Sequence, residues 1–236
     1  MPFVFPGGMN IKTKLTPRLT PRLTPHLAYD ANCRACPRLA EFLDDVRGKY
    51  PAYFCKPVPP LGAPSPKLLV VGLAPGLHGA NRTGRPFTGD HAGILLYETL
   101  HKFGFASKAI SVSADDALRL IDCRITNAVK CLPPQNKPLP VEIRTCNHFL
   151  QTELANLPAS IVIVALGTVA HAAVLTALGL KAAHCKFVHG AAHQLPGGQR
   201  LFDSYHCSRY NTNTRRLTAE MFHAVFADVR EHLAKI

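Results

Sequence analysis

Short apolar runs alternate along the chain with stretches in which apolar residues recur every third or fourth position. Over residues 37–47, Leu39, Phe42, Leu43 and Val46 fall on one helical face. Lys67-Leu-Leu-Val-Val-Gly-Leu73 is a continuous apolar run, the pattern of a strand buried on both faces. The same reading predicts helices over 92–103, 141–154, 168–178 and 217–233, and strands over 121–129, 161–166 and 200–205. Strands separated by helices predict an α/β fold: a three-layer α/β/α sandwich around a central parallel four-stranded sheet. Ligands of such sheets bind beyond the carboxyl ends of the strands. The loops after Val71, Thr126, Leu166 and Tyr205 are therefore where chemistry is expected.

The first thirty residues follow neither period. Leu15-Thr-Pro-Arg, Leu19-Thr-Pro-Arg and Leu23-Thr-Pro-His repeat a four-residue unit. Proline at every fourth position forbids a helix and denies a strand its ladder. A basic, proline-rich flexible arm over 1–30 is expected, followed by a single domain over 31–236.

Composition narrows the class. The chain has 236 residues, 47% of them apolar and 18% charged, enough to bury a core and to exclude wholesale disorder. The longest apolar run, over 161–166, falls far short of the ~18 residues that a membrane span requires. The N-terminus mixes Phe and Pro with Lys and Arg and has no apolar signal region, so a cytoplasmic protein without a membrane partner is expected. Lys and Arg number 27 against 15 acids, a net charge of +12. The first 29 residues hold four of these cations and no acid, which leaves the remainder at +8. A basic globular part points to a polyanionic partner, most commonly nucleic acid.

Eight cysteines are present. Cys33 and Cys36 form a CxxC pair, and Cys131 is followed fifteen positions later by Cys146. Zinc would usually add a second tight pair or two histidines. A thioredoxin-type pair would sit between a strand and a helix, whereas this one precedes the first core strand. An iron–sulfur cluster accepts four scattered thiolates. Spacing alone leaves the three readings open. Cys55, Cys123, Cys185 and Cys207 read as packed thiols.

Two loops stand out. The first is Gly72-Leu-Ala-Pro-Gly-Leu-His-Gly-Ala-Asn-Arg-Thr-Gly-Arg-Pro-Phe-Thr-Gly-Asp90. Its glycines and prolines describe a compact loop at a strand end, with backbone amides available to a ligand. It is neither a Walker loop nor GxGxxG. A structural turn accounts for the glycines but not for Asn81, Arg82, Arg85, Phe87 and Asp90 gathered together. The second, Tyr205-His-Cys-Ser-Arg-Tyr-Asn-Thr-Asn-Thr-Arg-Arg-Leu-Thr218, places a histidine at a strand end, then polar and basic residues suited to phosphate contacts, then a helix.

On these motifs the chain resembles the uracil-DNA glycosylase superfamily, most closely its iron–sulfur type b members, the fifth family. Residues 72–90 are similar to the pattern GLAPxxxGxNRTGRxFTGD nearly throughout. His206, Ser208, Asn211, Thr212, Thr214, Arg216, Leu217 and Thr218 match HPSxxNTxTGRLT, and Thr126-Asn-Ala-Val-Lys-Cys131 fits the middle motif. Cys207 stands where that pattern has proline, and Arg215 where it has glycine. The likeness covers roughly residues 30–233.

The resemblance implies a DNA repair glycosylase that flips uracil, and other deaminated bases such as hypoxanthine and xanthine, out of DNA and hydrolyses the N-glycosidic bond. It implies a 4Fe–4S cluster on Cys33, Cys36, Cys131 and Cys146. Phe87 would stack on the flipped base. Asn127 would hydrogen-bond the base edge, since an amide offers donor and acceptor. His206 would donate to a carbonyl of the leaving base, and Asp90 would orient water or stabilise charge on the sugar. Each has a plainer role open to it: a core ring for Phe87, a turn amide for Asn127, a structural histidine for His206, and a helix N-cap for Asp90. Gly72, Leu73, Ala74 and His189 complete the implied base pocket. Leu73 and Ala74 lie where another iron–sulfur family carries an acid. Asn81, Arg82, Ser208, Arg209, Tyr210 and Asn211 are the implied DNA contacts, and a monomer is expected. Two other readings stand beside this one: a noncatalytic iron–sulfur nucleic-acid-binding module, and a fourth-family glycosylase confined to uracil.

Overall fold

A computed structural model describes Met1 and residues 29–236. The expected arm over 1–30 lies almost wholly outside the described residues. The elements run in order α1 (Pro37–Lys49), β1 (Leu61–Gly62), β2 (Leu68–Gly72), α2 (Ala80–Thr83), α3 (His91–Lys102), β3 (Cys123–Asn127), α4 (Pro140–Ala155), β4 (Val162–Leu166), α5 (Thr168–Ala177), β5 (Ala192–Gln194), β6 (Arg200–Ser204), α6 (Arg209–Asn213) and α7 (Ala219–Leu233). Short 3-10 turns cover Pro134–Asn136 and Ala182–His184.

The sheet has six strands in the order β1-β3-β2-β4-β6-β5. The expected four-stranded parallel core, β3-β2-β4-β6, is there. The count of four is corrected to six by β1 and β5, which add antiparallel pairs at the two edges. Both are two or three residues long and carry little apolar alternation, so their pairing comes from the open edges of the core rather than from their own pattern.

Alternation along the core strands divides the interior. Leu68, Val70, Val162, Val164 and Phe202 face one side and pack with Leu96, Leu100, Phe222 and Phe226 of α3 and α7. Leu69, Val71, Ile163, Ala165 and Leu201 face the other and pack with Leu150, Leu154, Ala170 and Val174 of α4 and α5. All five residues of β2 and of β4 are buried, as helices on both faces require. A third cluster lies beyond β3. There Leu39, Leu43 and Val46 of α1 meet Val129, Leu132 and Phe149, with the cysteine pair Cys131 and Cys146 among them. Because the four core strands run parallel, Gly72, Asn127, Leu166 and Ser204 all end at one edge of the sandwich, and the two unusual loops meet there. Among the described residues, no helix is long and apolar enough to cross a membrane.

Candidate active site

β2 and β3 pair so that Gly72 lies beside Asn127. A side chain at Gly72 would overlap both Asn127 Oδ1 and the Phe87 ring. Its absence lets Phe87 lie across the strand end. Phe87 itself has φ of 53°, in the left-handed region that bulky residues rarely adopt, a conformation typical of functional sites. Its ring stacks on His206 with centroids 5.8 Å apart and planes 26° apart. One cavity of about 760 Å³ opens over this corner, and Leu73, Ala74, Phe87, Asp90, Asn127 and His206 all line it.

The polar groups of the cavity are poised rather than satisfied. Asn127 is buried, and its Oδ1 has no hydrogen-bond partner. His206 lines the cavity while its Nδ1 is shut from solvent and also unpartnered. Burial pushes the His206 pKa down to about 4, so the ring is neutral at physiological pH. A pair of buried polar atoms without partners costs stability unless a ligand completes them.

Asp90 has the N-cap role open to it and also lines the cavity. It caps α3 by accepting a hydrogen bond from the Gly93 N–H at 3.1 Å on Oδ1. Its Oδ2 lies against Gly76 and Gly79 of the first loop. Burial raises its pKa, with the amides of Gly93 and Ala92 acting in the opposite direction. The structure thus holds a carboxylate in a cavity whose surroundings disfavour its charge.

The last loop is built around His206. Ser208 caps α6 by accepting from the Asn211 N–H, and the Asn211 side chain donates to the His206 carbonyl at 2.8 Å. His91 Nε2 lies 2.9 Å from Thr212 Oγ1, joining the start of α3 to α6 across the cavity mouth. Arg209 and Tyr210 are exposed on α6, as DNA contacts would be. Arg82 is also exposed and donates from Nε to the His78 carbonyl at 2.7 Å.

Three expected site residues are placed elsewhere, among them Gly72, which is buried beneath the Phe87 ring and off the cavity wall. Asn81 is fully buried, its amide directed at Cys55 Sγ at 3.5 Å, so it packs the loop instead of presenting itself to DNA. His189 stands behind the cavity wall. Its Nδ1 accepts the Tyr205 N–H at 3.1 Å, and its ring stacks on Tyr205 with centroids 4.9 Å apart. Residues not singled out by the sequence reading also line the cavity: His91, Phe187, Tyr205 and Arg216. Arg216 lies over the Tyr205 ring at 4.7 Å. Arg216 belongs to the quoted last motif, and Tyr205 directly precedes it. Phe187 carries no local signal.

Cys33 and Cys36 before α1, Cys131 after β3 and Cys146 on α4 line a single small cavity. All are free thiols. Burial, then the neighbouring Cys146, Glu142 and Cys33, push the Cys36 thiol up to about 11, and burial with the other three thiols pushes Cys131 up to about 12. Four facing thiols cannot ionise together without a cationic group among them. An all-thiol donor set of this kind has the chemistry to hold an iron–sulfur group or a zinc ion.

A parallel-sheet sandwich with a roomy cavity, a stacking ring and unpartnered amide and imidazole atoms at its strand ends has the make-up of a base-excising enzyme. The family model described as "Uracil DNA glycosylase superfamily" matches residues 59–230. A relative from Thermus thermophilus named "Type-5 uracil-DNA glycosylase" is 48% identical over 84% of this chain and 92% of its own length. One of the same name from Mycobacterium leprae is 42% identical over 84% of this chain and 90% of its own. A "Type-4 uracil-DNA glycosylase" from Thermotoga maritima is 35% identical over 60% of this chain and 65% of its own. The chain belongs to the uracil-DNA glycosylase superfamily and, within it, to the type-5 family.

Proposed function

We propose that this protein is a monofunctional DNA glycosylase that removes uracil, and also the deaminated purines hypoxanthine and xanthine, from DNA and leaves an abasic site. The observation that carries the reading is the convergence of Phe87, Asn127, His206 and Asp90 on one cavity that leaves Asn127 Oδ1 and His206 Nδ1 without partners. A flipped base supplies what these groups lack: a π-face for Phe87 and a polar edge for the amide and imidazole. As the glycosidic bond lengthens, negative charge grows on the base and positive charge on the sugar. His206 is neutral, so it stabilises the departing base by hydrogen bonding and not as an imidazolium. Asp90 supplies the anion on the sugar side, orienting the attacking water or stabilising the sugar cation. Leu73 and Ala74 bring no ionisable group to the cavity wall, which favours a base site tolerant of purines as well as uracil. Arg82, Arg209, Tyr210 and Arg216 are the groups placed to grip the phosphate backbone or fill the gap the base leaves.

Cys33, Cys36, Cys131 and Cys146 would hold a 4Fe–4S cluster. Held there, it would tie the start of α1 to the β3 loop and α4 and supply a structural brace rather than redox chemistry. Iron and acid-labile sulfide in equal amounts in the purified protein, both lost in Cys131→Ser, are the expected result.

The test of function is single-turnover cleavage of labelled duplexes carrying uracil, hypoxanthine or xanthine, with alkali used to break abasic sites. Release of uracil and of a purine supports the reading. Release of uracil alone reduces it to a fourth-family-like specificity. DNA binding without release of any base overturns the catalytic reading in favour of a binding module.

A further inference from the structure

A buried polar cluster lies behind the cavity and outside the catalytic groups. His171 on α5, Asp203 on β6 and His193 on β5 place their ligand-type atoms within 4.8 Å of one another. His171 Nδ1 is 2.7 Å from Asp203 Oδ1, and His193 Nε2 is 3.0 Å from Asp203 Oδ2. The other ring nitrogen of His171, Nε2, lies 3.1 Å from the Cys185 carbonyl oxygen. A carboxylate and a carbonyl can only accept. Both nitrogens of His171 therefore have to donate, which only the imidazolium can do.

The cluster grips one segment of chain. Asp203 Oδ2 also accepts the Val188 N–H at 3.3 Å, the Gly190 N–H donates to the Asp203 carbonyl, and the Asp203 N–H donates to Ala191. Phe187 meets the His171 ring edge-on at 5.8 Å and packs against Tyr205 at 6.0 Å. Phe187 and Tyr205 line the cavity, and Tyr205 directly precedes His206.

We infer that His171, Asp203 and His193 are a positioning triad, a buried imidazolium–carboxylate–imidazole network that fixes residues 187–191 and so holds the Phe187–Tyr205 wall beside His206. A metal is the competing occupant of such a cluster. Tetrahedral zinc with nitrogen and oxygen ligands needs them roughly 3.3 Å apart, whereas the His171–Asp203 separation is that of a charge-assisted hydrogen bond. The titratable groups packed against His171 are Asp203 from β6, His193 from β5 and the Cys185 thiol, and Asp203 is the anion among them. The bonds to Asp203 and Cys185 raise the His171 pKa against the opposing effect of burial. A raised histidine contributes its stability below the pKa of the unfolded chain and loses it as pH rises through the folded value. The wall is thus held at pH below the raised His171 value and loosened as pH rises through it.

The inference concerns the glycosylase site proposed above, and its first readout does not depend on activity. Nitrogen-15 spectra of histidine-labelled protein should show both His171 ring nitrogens protonated at pH 7. One protonated nitrogen, or zinc bound stoichiometrically in metal analysis, would overturn the triad. With uracil duplex, His171→Gln should lower the single-turnover rate about tenfold and abolish the alkaline fall that tracks the His171 titration, with half-saturation by DNA little changed. If His171→Gln does not fold, His193→Gln at the partly exposed end of the network gives the second reading: a smaller rate loss and a His171 titration moved to higher pH, since a donor competing for Asp203 is weakened. Wild-type rate together with an unmoved titration in His193→Gln would also overturn the proposal. A wild-type protein that cleaves nothing, yet shows the doubly protonated His171, would separate failure of the proposed activity from failure of the triad.

Discussion

The carboxylate of Asp90 occupies the space that a side chain at Gly79 would need: its Oδ2, Cγ and Cβ all crowd the position of a Cβ there. The loop glycine thus makes room for the proposed catalytic carboxylate without touching the reaction. Gly79→Ala should push Asp90 aside and cut single-turnover uracil release, while the unfolding midpoint changes much less. An Asp90→Asn comparison sets the scale, since loss of the group itself should cost about 10²–10⁴-fold. A Gly79→Ala protein with the wild-type rate would show that Asp90 need not sit where it does.

The protonation of Asp90 predicts an acid limb. Its pKa is raised by burial, so its neutral form persists to higher pH than that of an ordinary carboxylate. His206 titrates only near about 4 and stays neutral above that. The single-turnover rate should therefore fall with acidity through the Asp90 value, which burial raises from that of a free aspartate. The limb should vanish in Asp90→Asn. A limb that persists in that variant would assign it to another group.

Asn127 lines the cavity, and its Oδ1 is buried without a partner next to Phe87 and Gly72. Removing one buried partner of a polar contact costs roughly 1–3 kcal/mol where the contact is made and little where it is not. Asn127→Ala should thus change the ratio of uracil to hypoxanthine release by about tenfold or more, whereas Asp90→Asn should depress both together. Equal losses on all bases in Asn127→Ala would make the residue a general scaffold rather than a reader of the base.

The sequence reading succeeds where the signal is local. The all-apolar β2 and β4 and the flanking helices end within two residues of their expected bounds. Phe87, Asp90, Asn127 and His206 were legible because each sits in a motif at a strand end. Contacts between distant segments were not. Asn81 stands amid polar loop residues and reads as exposed, but Phe54 and Cys55 close over it by backbone bonds to Arg82 and Asn81. His171 reads as one polar residue on an apolar helix. Its partners stand 32 and 22 positions away, and nothing local announces them. The edge strands escaped for the same reason: their hydrogen bonds are made by neighbours, not by their own pattern.

Arg85 illustrates a motif residue whose work is structural. Its guanidinium reaches Asp116 at 2.6 Å and Ser111 at 3.1 Å, and both charged side chains are about nine-tenths buried. Asp116 is held well below the usual carboxylate range by Arg85 and three backbone amides, against the effect of burial. Breaking such a pair leaves an uncompensated buried charge, so Arg85→Ala should lose about 3–5 kcal/mol in urea unfolding. Asp116→Asn should lose less, since the amide keeps an acceptor for the guanidinium. A destabilisation below about 1 kcal/mol for Arg85→Ala, the worth of an exposed pair, would place the interaction at the surface.

Arg215 sets stability against binding. It has φ of 57° and is exposed just after α6. A side chain in the left-handed region costs about 1–2 kcal/mol relative to glycine, and glycine is what the family pattern has at this position. Keeping arginine there makes sense if its charge meets DNA phosphate, since each such contact releases counterions and steepens the salt dependence of binding. Arg215→Gly should therefore move two measurements in opposite directions. The unfolding free energy should rise by about 1 kcal/mol. The Kd for an abasic or uracil duplex should weaken, with the slope of log Kd against log salt reduced by about one. A more stable variant with unchanged salt slope would leave the strain at Arg215 without a DNA-binding explanation. A less stable variant would mean that Arg215 makes folded-state contacts worth more than its backbone costs.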